Sequence, residues 1–318
     1  MPLEHFKITG IAVSQIFLLA AMGFFLVKRK FLEGAGLDAV SNLVLDVTLP
    51  VLIFCQLIKD FSFQAYPDWW IFPLLSIGVT VIGLVVGFLL LPLIKGEQHK
   101  LQFLSLVGFQ NSGYLPLALA AALLAQGELN AMFIYLFLFL CGFNLVMFSV
   151  GVYILNFHKE RKFDWQNFLS MPVTVTLFSL LIIFFGLNKF VPDAVIKPLR
   201  MLGDSTLPLA MLVVGGNLAE LNLKNINKRA ISLLILAKMI ILPAIGLGLI
   251  IVLGIPKLIG LLILIQLAMP SAVTLSVILR NYKKEDLLVS QGILLTHLAS
   301  VITIPLFLIL YFSRIMLK

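Results

Sequence analysis

The sequence is built from long apolar blocks that contain few charged residues. The blocks lie at 8–27, 37–58, 71–94, 101–124, 130–156, 168–187, 193–219, 230–254, 257–280 and 287–313. A helix needs about 20 apolar residues to cross the ~30 Å hydrocarbon core of a bilayer. Because that core holds no water, each block must satisfy its backbone hydrogen bonds internally, as a helix does. The blocks therefore predict an all-α integral membrane protein with ten transmembrane helices, which we number as spans one to ten.

Composition agrees with this class of protein and argues against others. The chain is 61% hydrophobic and 12% charged, whereas ordinary soluble chains carry about 25% charged residues. Its net charge of +8 comes from residues scattered in short loops, and a nucleic-acid-binding surface would need them on one face. Cys55 and Cys141 lie inside apolar blocks, which favours packing thiols over a disulfide framework. The expected surroundings are a lipid bilayer, with no nucleic-acid partner.

The loops between the blocks differ in their content of Lys and Arg. Clusters of these residues, at 28–30 and 159–162 for example, fall in loops on one side of the predicted bundle. Cytoplasmic loops carry an excess of Lys and Arg. This rule places the clustered loops in the cytoplasm and both termini outside, in a multi-pass protein of the plasma membrane.

The two halves of the chain repeat one another. Span two contains Asp-Val-Thr-Leu-Pro at 46–50, and span seven contains Asp-Ser-Thr-Leu-Pro at 204–208. Spans four and nine each contain an internal proline next to polar residues, at 110–116 and 266–271. Five helices per half force the second half to enter the membrane upside down, which is the inverted-repeat plan of many carriers. We therefore predict one five-helix repeat at 1–157 and an inverted one at 164–318.

The interruptions of spans four and nine are the candidate site. A proline inside a helix removes a backbone hydrogen bond at a cost of ~3 kcal/mol, and broken backbone at bilayer depth is tolerated where it is buried in protein or lines a wet cavity. The free N–H groups of a half-helix attract anions. Ordinary proline kinks and interhelical hydrogen bonds are the alternative interpretations. The predicted substrate-binding residues are Gln110, Asn111, Ser112, Gly113, Tyr114, Pro116, Gln266, Met269, Pro270, Ser271 and Thr274.

Four ionisable residues fall inside or at the edge of the spans: Asp46, Asp204, Lys238 and His297. Such residues are costly in a membrane and suggest ion pathways or coupling. The aspartates could instead cap half-helices, Lys238 could snorkel or neutralise an aspartate, and His297 could be a packing residue. Coupling to protons or sodium is left open. The sequence contains no metal-ligand, nucleotide-binding or nucleophile motif, so we expect no cofactor and no enzyme activity.

Three stretches of the chain also resemble one known family. Residues 108–116 in span four, 203–211 in span seven and 268–272 in span nine are similar to segments of the auxin efflux carrier family. That family includes plant PIN-type carriers and bacterial organic-acid or malate permeases. Lys238 followed by Leu242 and Pro243 resembles a further segment of the family.

The resemblance implies a fold like that of bile-acid symporters and sodium–proton antiporters. Spans one, two, six and seven would form a scaffold, and spans three to five and eight to ten would form a moving transport domain. The broken spans four and nine would cross at its centre, with substrate bound beside Asn111, Pro116 and Pro270. The long loop of the plant carriers between spans five and six is absent, and span three has no acidic residue. Auxin is therefore a poor candidate for the substrate.

The sequence thus predicts a secondary transporter for small organic anions, carboxylates such as malate, that works by alternating access. Two alternatives are an exchanger of the sodium–proton antiporter type and a membrane receptor that uses the same pocket. Assembly into a homodimer is left open.

Overall fold

The computed structural model describes residues 2–32, 34–156, 170–220, 227–281 and 287–315. Within these ranges the protein is helical, with one isolated β-bridge between Gln110 and Ser271. The basic cluster predicted at 159–162 lies outside the described residues.

The described part of the first half contains eight α-helices. They are α1 (Pro2–Lys28), α2 (Gly34–Leu43), α3 (Leu49–Asp60), α4 (Ile71–Leu90), α5 (Glu97–Gly108), α6 (Tyr114–Leu123), α7 (Gln126–Val146) and α8 (Val152–Asn156). A π-helical turn, Val44–Thr48, joins α2 to α3, and another, Met147–Gly151, joins α7 to α8. A 3₁₀ turn, Leu91–Leu93, follows α4.

The described part of the second half contains eight more. They are α9 (Met171–Phe184), α10 (Asp193–Asp204), α11 (Thr206–Glu220), α12 (Lys228–Leu236), α13 (Leu242–Leu253), α14 (Lys257–Ala268), α15 (Thr274–Asn281) and α16 (Leu287–Ile315). A π-helical turn, Ala237–Ile241, joins α12 to α13, and a 3₁₀ turn, Leu187–Phe190, precedes α10.

The helices have the length and composition of membrane spans. In the described ranges, six continuous helical stretches are long and apolar enough to cross a bilayer: Gly34–Asp60, Ile71–Leu93, Gln126–Ile154, Asp193–Glu220, Lys228–Leu253 and Leu287–Arg314. Shorter apolar helices are Val13–Lys28, Tyr114–Leu123, Met171–Phe184 and Lys257–Ala268. The prediction of an all-α membrane protein is confirmed. The inverted-repeat topology and its division at 1–157 and 164–318 stay predictions.

The distribution of apolar residues fits a protein surrounded by lipid. Val81, Val85 and Phe88 on α4 are at least half exposed. A soluble protein avoids large apolar patches of this kind, whereas the hydrocarbon core of a bilayer accommodates them. The interior is also apolar, with Phe103 and Phe137 among its fully buried side chains.

Helices α1 and α11 pack with their backbones in direct contact. A methyl group added at Gly23 would overlap the carbonyl group of Leu212, and one added at Gly215 would overlap that of Ala20. Small residues allow such close approach between membrane helices, where packing replaces the hydrophobic effect. The pair therefore forms a rigid contact between the two halves of the chain.

The repeated Asp-x-Thr-Leu-Pro sequences both lie where the helical hydrogen-bonding pattern changes within a continuous helical stretch. Pro50 lies in the first turn of α3, after the π-helical turn. Pro208 lies in the first turn of α11, after α10 ends at Asp204. A proline in the first turn costs little, because its missing N–H has no partner within the helix at that position.

Candidate functional site

Two interruptions of the helices meet at the centre of the molecule. The first break comprises residues 109–113, between α5 and α6, and the second break comprises residues 269–273, between α14 and α15. The backbone N–H of Asn111 donates to the carbonyl oxygen of Pro270 at 2.8 Å, and the N–H of Ala272 donates to that of Phe109 at 3.0 Å. The two breaks therefore pair as a short antiparallel bridge, which satisfies backbone groups that lipid could not.

The carbonyl end of α5 is closed by two side chains. Lys238, which is 1% exposed, donates from Nζ to the carbonyl oxygen of Val107 at 2.8 Å. Ser271 donates from Oγ to the carbonyl oxygen of Leu106, also at 2.8 Å. The last carbonyl groups of a helix lack partners within it and carry a partial negative charge, so an ammonium group there is favourable.

A cavity of about 290 Å³ lies against the first break. The predicted residues that line it are Asp46, Gln110, Asn111, Ser112, Gly113, Tyr114 and Thr274. Apolar walls come from Leu140 and Phe143 on α7 and from Met147 and Phe148 in the following π-helical turn. The cavity therefore combines a polar floor at the break with an apolar side wall.

Three polar atoms at this floor have no hydrogen-bond partner in the described part of the chain. They are Nε2 of Gln110, Oγ of Ser112 and the hydroxyl oxygen of Tyr114. A buried polar atom left unpaired costs about 1–3 kcal/mol, and nearly all such atoms in proteins are paired with protein or water. Three residues of the cavity lining therefore keep unused hydrogen-bonding capacity beside the cavity.

None of the described residues that line the cavity has a basic side chain, and two helix ends supply partial positive charge there. Both α6 and α15 begin at its wall, with Tyr114 and Thr274. Gly113 precedes α6, with no side chain capping that end of the helix. Free N–H groups at a helix start carry a partial positive charge. Asp46, an exposed residue of the π-helical turn Val44–Thr48, supplies the one carboxylate among the described residues that line the cavity.

Comparison with known proteins then identifies the family. The sequence matches the profile of the membrane transport protein family over residues 9–171 and 162–308. The chain belongs to this family. The match confirms the resemblance to auxin efflux carriers and PIN-type proteins. The protein is therefore a multi-pass membrane protein of a transport family.

Three relatives show how far the similarity extends. The carrier is 28% identical over 120 residues to Protein PIN-LIKES 6 of Arabidopsis thaliana. The aligned region is 37% of the carrier and 28% of that protein. It is 25% identical over 216 residues to Uncharacterized transporter MJ1031 of Methanocaldococcus jannaschii. The aligned region is 66% of the carrier and 68% of that protein. It is 21% identical over 322 residues to Protein PIN-LIKES 7 of Arabidopsis thaliana. The aligned region is 78% of the carrier and 81% of that protein. The carrier thus spans little more than a quarter of the first relative's length.

Several predicted residues lie behind the cavity of the carrier rather than at its wall. Pro116 is in the first turn of α6, so the helix is interrupted before the proline and not by a bond lost at it. Gln266, Met269 and Ser271 are fully buried. Gln266 donates from Nε2 to the carbonyl oxygen of Ser112 at 3.2 Å. Pro270 contributes its carbonyl group to the bridge, so this set supports the first break from behind.

The four ionisable residues separate into different surroundings. Asp46 lines the cavity, whereas Asp204 is exposed at the end of α10 and lies outside it. Lys238 neither reaches an aqueous face nor pairs with an aspartate in the described structure, and instead caps α5. His297 is 1% exposed and contacts Asn111, with 3.4 Å between its Nε2 and the Nδ2 of Asn111.

Four polar residues that line the cavity were not predicted: Ser41, Asn144, Ser170 and Asn217. Asn144 donates from Nδ2 to Oγ of Ser170 at 3.4 Å. Amides inside an apolar span usually form interhelical hydrogen bonds, so Asn144 and Asn217 carried a detectable signal. Ser41 and Ser170 could not be recognised from the sequence, because serine is common near span ends.

Proposed function

We propose that the carrier moves small organic anions, carboxylates such as malate, across the plasma membrane by alternating access. The substrate binds in the cavity beside the crossing breaks. The observation that carries this proposal is the start of two half-helices, α6 and α15, at one cavity whose floor holds unpaired polar atoms.

The chemistry of the floor suits a carboxylate. The starts of α6 and α15 bring partial positive charge, and the first N–H groups of α6 can donate hydrogen bonds. In α15 the N–H groups of Leu275 and Ser276 already donate to the carbonyl oxygens of Ala272 and Val273. The amide groups of Gln110 and Asn111 and the hydroxyl of Ser112 add further polar contacts. A volume of about 290 Å³ is at the lower end of ligand pockets, which favours a small acid over a large one.

The composition of the cavity wall supports alternating access. Ser41, Asp46 and Asn217 come from spans two and seven, which the family resemblance assigns to the scaffold. Asn144 and Thr274 come from spans five and nine, which it assigns to the transport domain. A solute held between two such groups would change sides when one moves against the other. The tight contact of α1 with α11 supports the role of a fixed frame for these spans.

The experiment is uptake of radiolabelled malate into liposomes that contain the purified carrier. We expect time-dependent uptake that unlabelled malate competes away. Asn111→Ala removes an amide from the floor and should lower uptake at least about tenfold, the equivalent of one lost hydrogen bond of ~1.4 kcal/mol. The variant should still fold, because the backbone N–H that pairs with Pro270 is retained. Its unfolding temperature should fall only by the equivalent of the lost contact with His297, about 1–3 kcal/mol.

Asn188→Ala is the matched control, since Asn188 lies in a 3₁₀ turn and does not line the cavity. Its uptake should equal that of the wild type. Binding of malate without flux would support a receptor instead. Sodium-driven proton movement without malate uptake would support an antiporter. Unchanged uptake by Asn111→Ala would remove this residue from the site.

A further inference from the structure

His297 lies directly behind the first break and has a defined hydrogen-bonding pattern. Its Nδ1 is 2.8 Å from the backbone carbonyl oxygen of Ile293, one turn earlier in α16. A carbonyl oxygen can only accept a hydrogen bond, so Nδ1 must carry a proton. In the neutral ring the other nitrogen, Nε2, then has a free lone pair and can only accept.

The acceptor at Nε2 determines how Asn111 is oriented. Nε2 of His297 is 3.4 Å from the side-chain nitrogen of Asn111. The hydrogen-bond network assigns the two ends of an amide, and here the NH₂ group is the end that can serve an acceptor. The Oδ1 atom of Asn111 is therefore turned away from His297. Because Asn111 lines the cavity, Oδ1 is the end of the amide left for a solute.

We infer that His297 is a positioning residue that holds Asn111 as a hydrogen-bond acceptor, and that the transported solute contributes a donor group there. This inference rests on the proposed function and narrows its substrate class. Asp46, the carboxylate of the cavity wall, is likewise an acceptor when ionised. The uncapped N–H groups at the start of α6 supply the donors. A solute with both a carboxylate and a hydroxyl group, a hydroxycarboxylate, matches both kinds of partner.

The inference predicts discrimination between acids that differ only in a hydroxyl group. A site that binds a hydroxyl group rejects an analogue lacking it, because a buried polar atom is then left unpaired. Malate and succinate are such a pair. We expect the wild-type carrier in liposomes to take up malate at least about tenfold more efficiently than succinate.

Two substitutions of His297 separate positioning from packing. His297→Phe keeps an aromatic ring but has no acceptor, so the Asn111 amide can turn over. The ratio of malate to succinate uptake should fall to within about threefold of unity. His297→Gln restores an acceptor through its amide oxygen and should recover most of the preference. A purely structural role for His297 would lower the uptake of both acids equally in His297→Phe.

A spectroscopic measurement tests the proton position independently of transport. Nitrogen-15 NMR of carrier labelled at histidine distinguishes the two neutral tautomers, and His297→Gln identifies the resonance. We expect the proton on Nδ1. A proton on Nε2 overturns the inference whatever the carrier transports, as does equal uptake of malate and succinate by the wild type. Uptake of neither acid, with the proton on Nδ1, contradicts the proposed function but leaves the orientation of Asn111 supported.

Discussion

The first and second breaks contact each other through the same backbone bridge, but their side chains have different surroundings. At the first break, Gln110, Asn111 and Ser112 line the cavity. At the second break, Met269 and Ser271 are fully buried outside the cavity wall, and the break lines the cavity only with the apolar residues Ala272 and Val273. Ser271 uses its Oγ to pair with Leu106 and its N–H to pair with the hydroxyl of Thr296 at 3.2 Å. The polar groups of the second break are therefore used inside the protein.

Side chains from neighbouring helices hold the first break and the end of α5 in place. Gln266, two residues before the end of α14, donates to the first break at Ser112. His297 contacts the same break at Asn111. Lys238 caps the carbonyl end of α5. The comparison indicates that one break recognises the solute while the other, with its neighbours, holds it in place.

The largest effect is expected at the cap of α5. Lys238→Glu would place a buried carboxylate against the carbonyl oxygen of Val107, where like charges repel and no donor remains. An uncompensated buried charge costs about 3–5 kcal/mol. We expect loss of most folded carrier, measured as the monodisperse fraction in size-exclusion chromatography after detergent extraction.

Lys257→Glu is the matched control for this change. Lys257 is exposed and pairs with Glu128 at 3.3 Å between Nζ and Oε1, and an exposed ion pair is worth about 0–1 kcal/mol. This variant should be recovered in nearly wild-type yield. Wild-type recovery of Lys238→Glu would show that α5 needs no cation at its carbonyl end, and the proposed asymmetry of the breaks would lose one of its supports.

The sequence predicts the fold well because the strongest signals are local. Apart from α1, which begins at Pro2 and not at residue 8, the described helix ends lie within a few residues of the predicted span ends, since charges, glycines and prolines end the apolar blocks. The two breaks were recognisable from Pro116 and Pro270 with their polar neighbours. A membrane span must satisfy its own backbone, so any interruption is conspicuous in the sequence.

The side chains of the site are harder to predict, because their direction depends on packing across spans. Gln110 and Gln266 look alike in sequence, yet only Gln110 lines the cavity. Gln266 points from α14 to Ser112, a contact between residues 154 positions apart. Asp46 and Asp204 occupy the same motif, but only Asp46 reaches the cavity. Periodicity within one helix does not determine such contacts.

An effect of intermediate size is expected when the serine of each break, Ser112 or Ser271, is replaced by alanine. Ser271→Ala removes the Oγ that donates to Leu106 and leaves that carbonyl group without this donor, at a cost of about 1–3 kcal/mol. Ser112→Ala removes an Oγ that has no partner in the described structure, so the protein loses no internal bond. We expect Ser271→Ala to unfold at a clearly lower temperature and Ser112→Ala to unfold near the wild-type temperature.

Transport should respond in the opposite order. Ser112→Ala should weaken malate uptake several-fold by removing a polar contact, at about 0.5–1.5 kcal/mol for one hydrogen bond. The Ser271→Ala protein that remains folded should keep its apparent affinity. Equal effects of the two substitutions on both stability and affinity would mean that the breaks are equivalent, contrary to the comparison.

The smallest effect is expected at Gly113, where the first break becomes α6. Its φ of −100° is accessible to any L-residue, and an added methyl group would lie 3.7 Å from Cδ1 of Leu140, an ordinary contact. Gly113→Ala should therefore fold and unfold like the wild type. The methyl group would take up space at the cavity wall beside the free N–H groups of α6, so the apparent affinity for malate should fall about threefold to tenfold.

Gly78→Ala provides the comparison for this last change, because a methyl group at Gly78 on the exposed face of α4 meets nothing within 4 Å. Uptake measured in liposomes should give the two variants different apparent affinities for malate. Their unfolding temperatures should be the same. If Gly113→Ala instead loses stability while keeping its affinity, the start of α6 is a packed structural element like the second break. The solute would then have to bind to another part of the cavity, such as the wall formed by Asp46, Asn144 and Asn217.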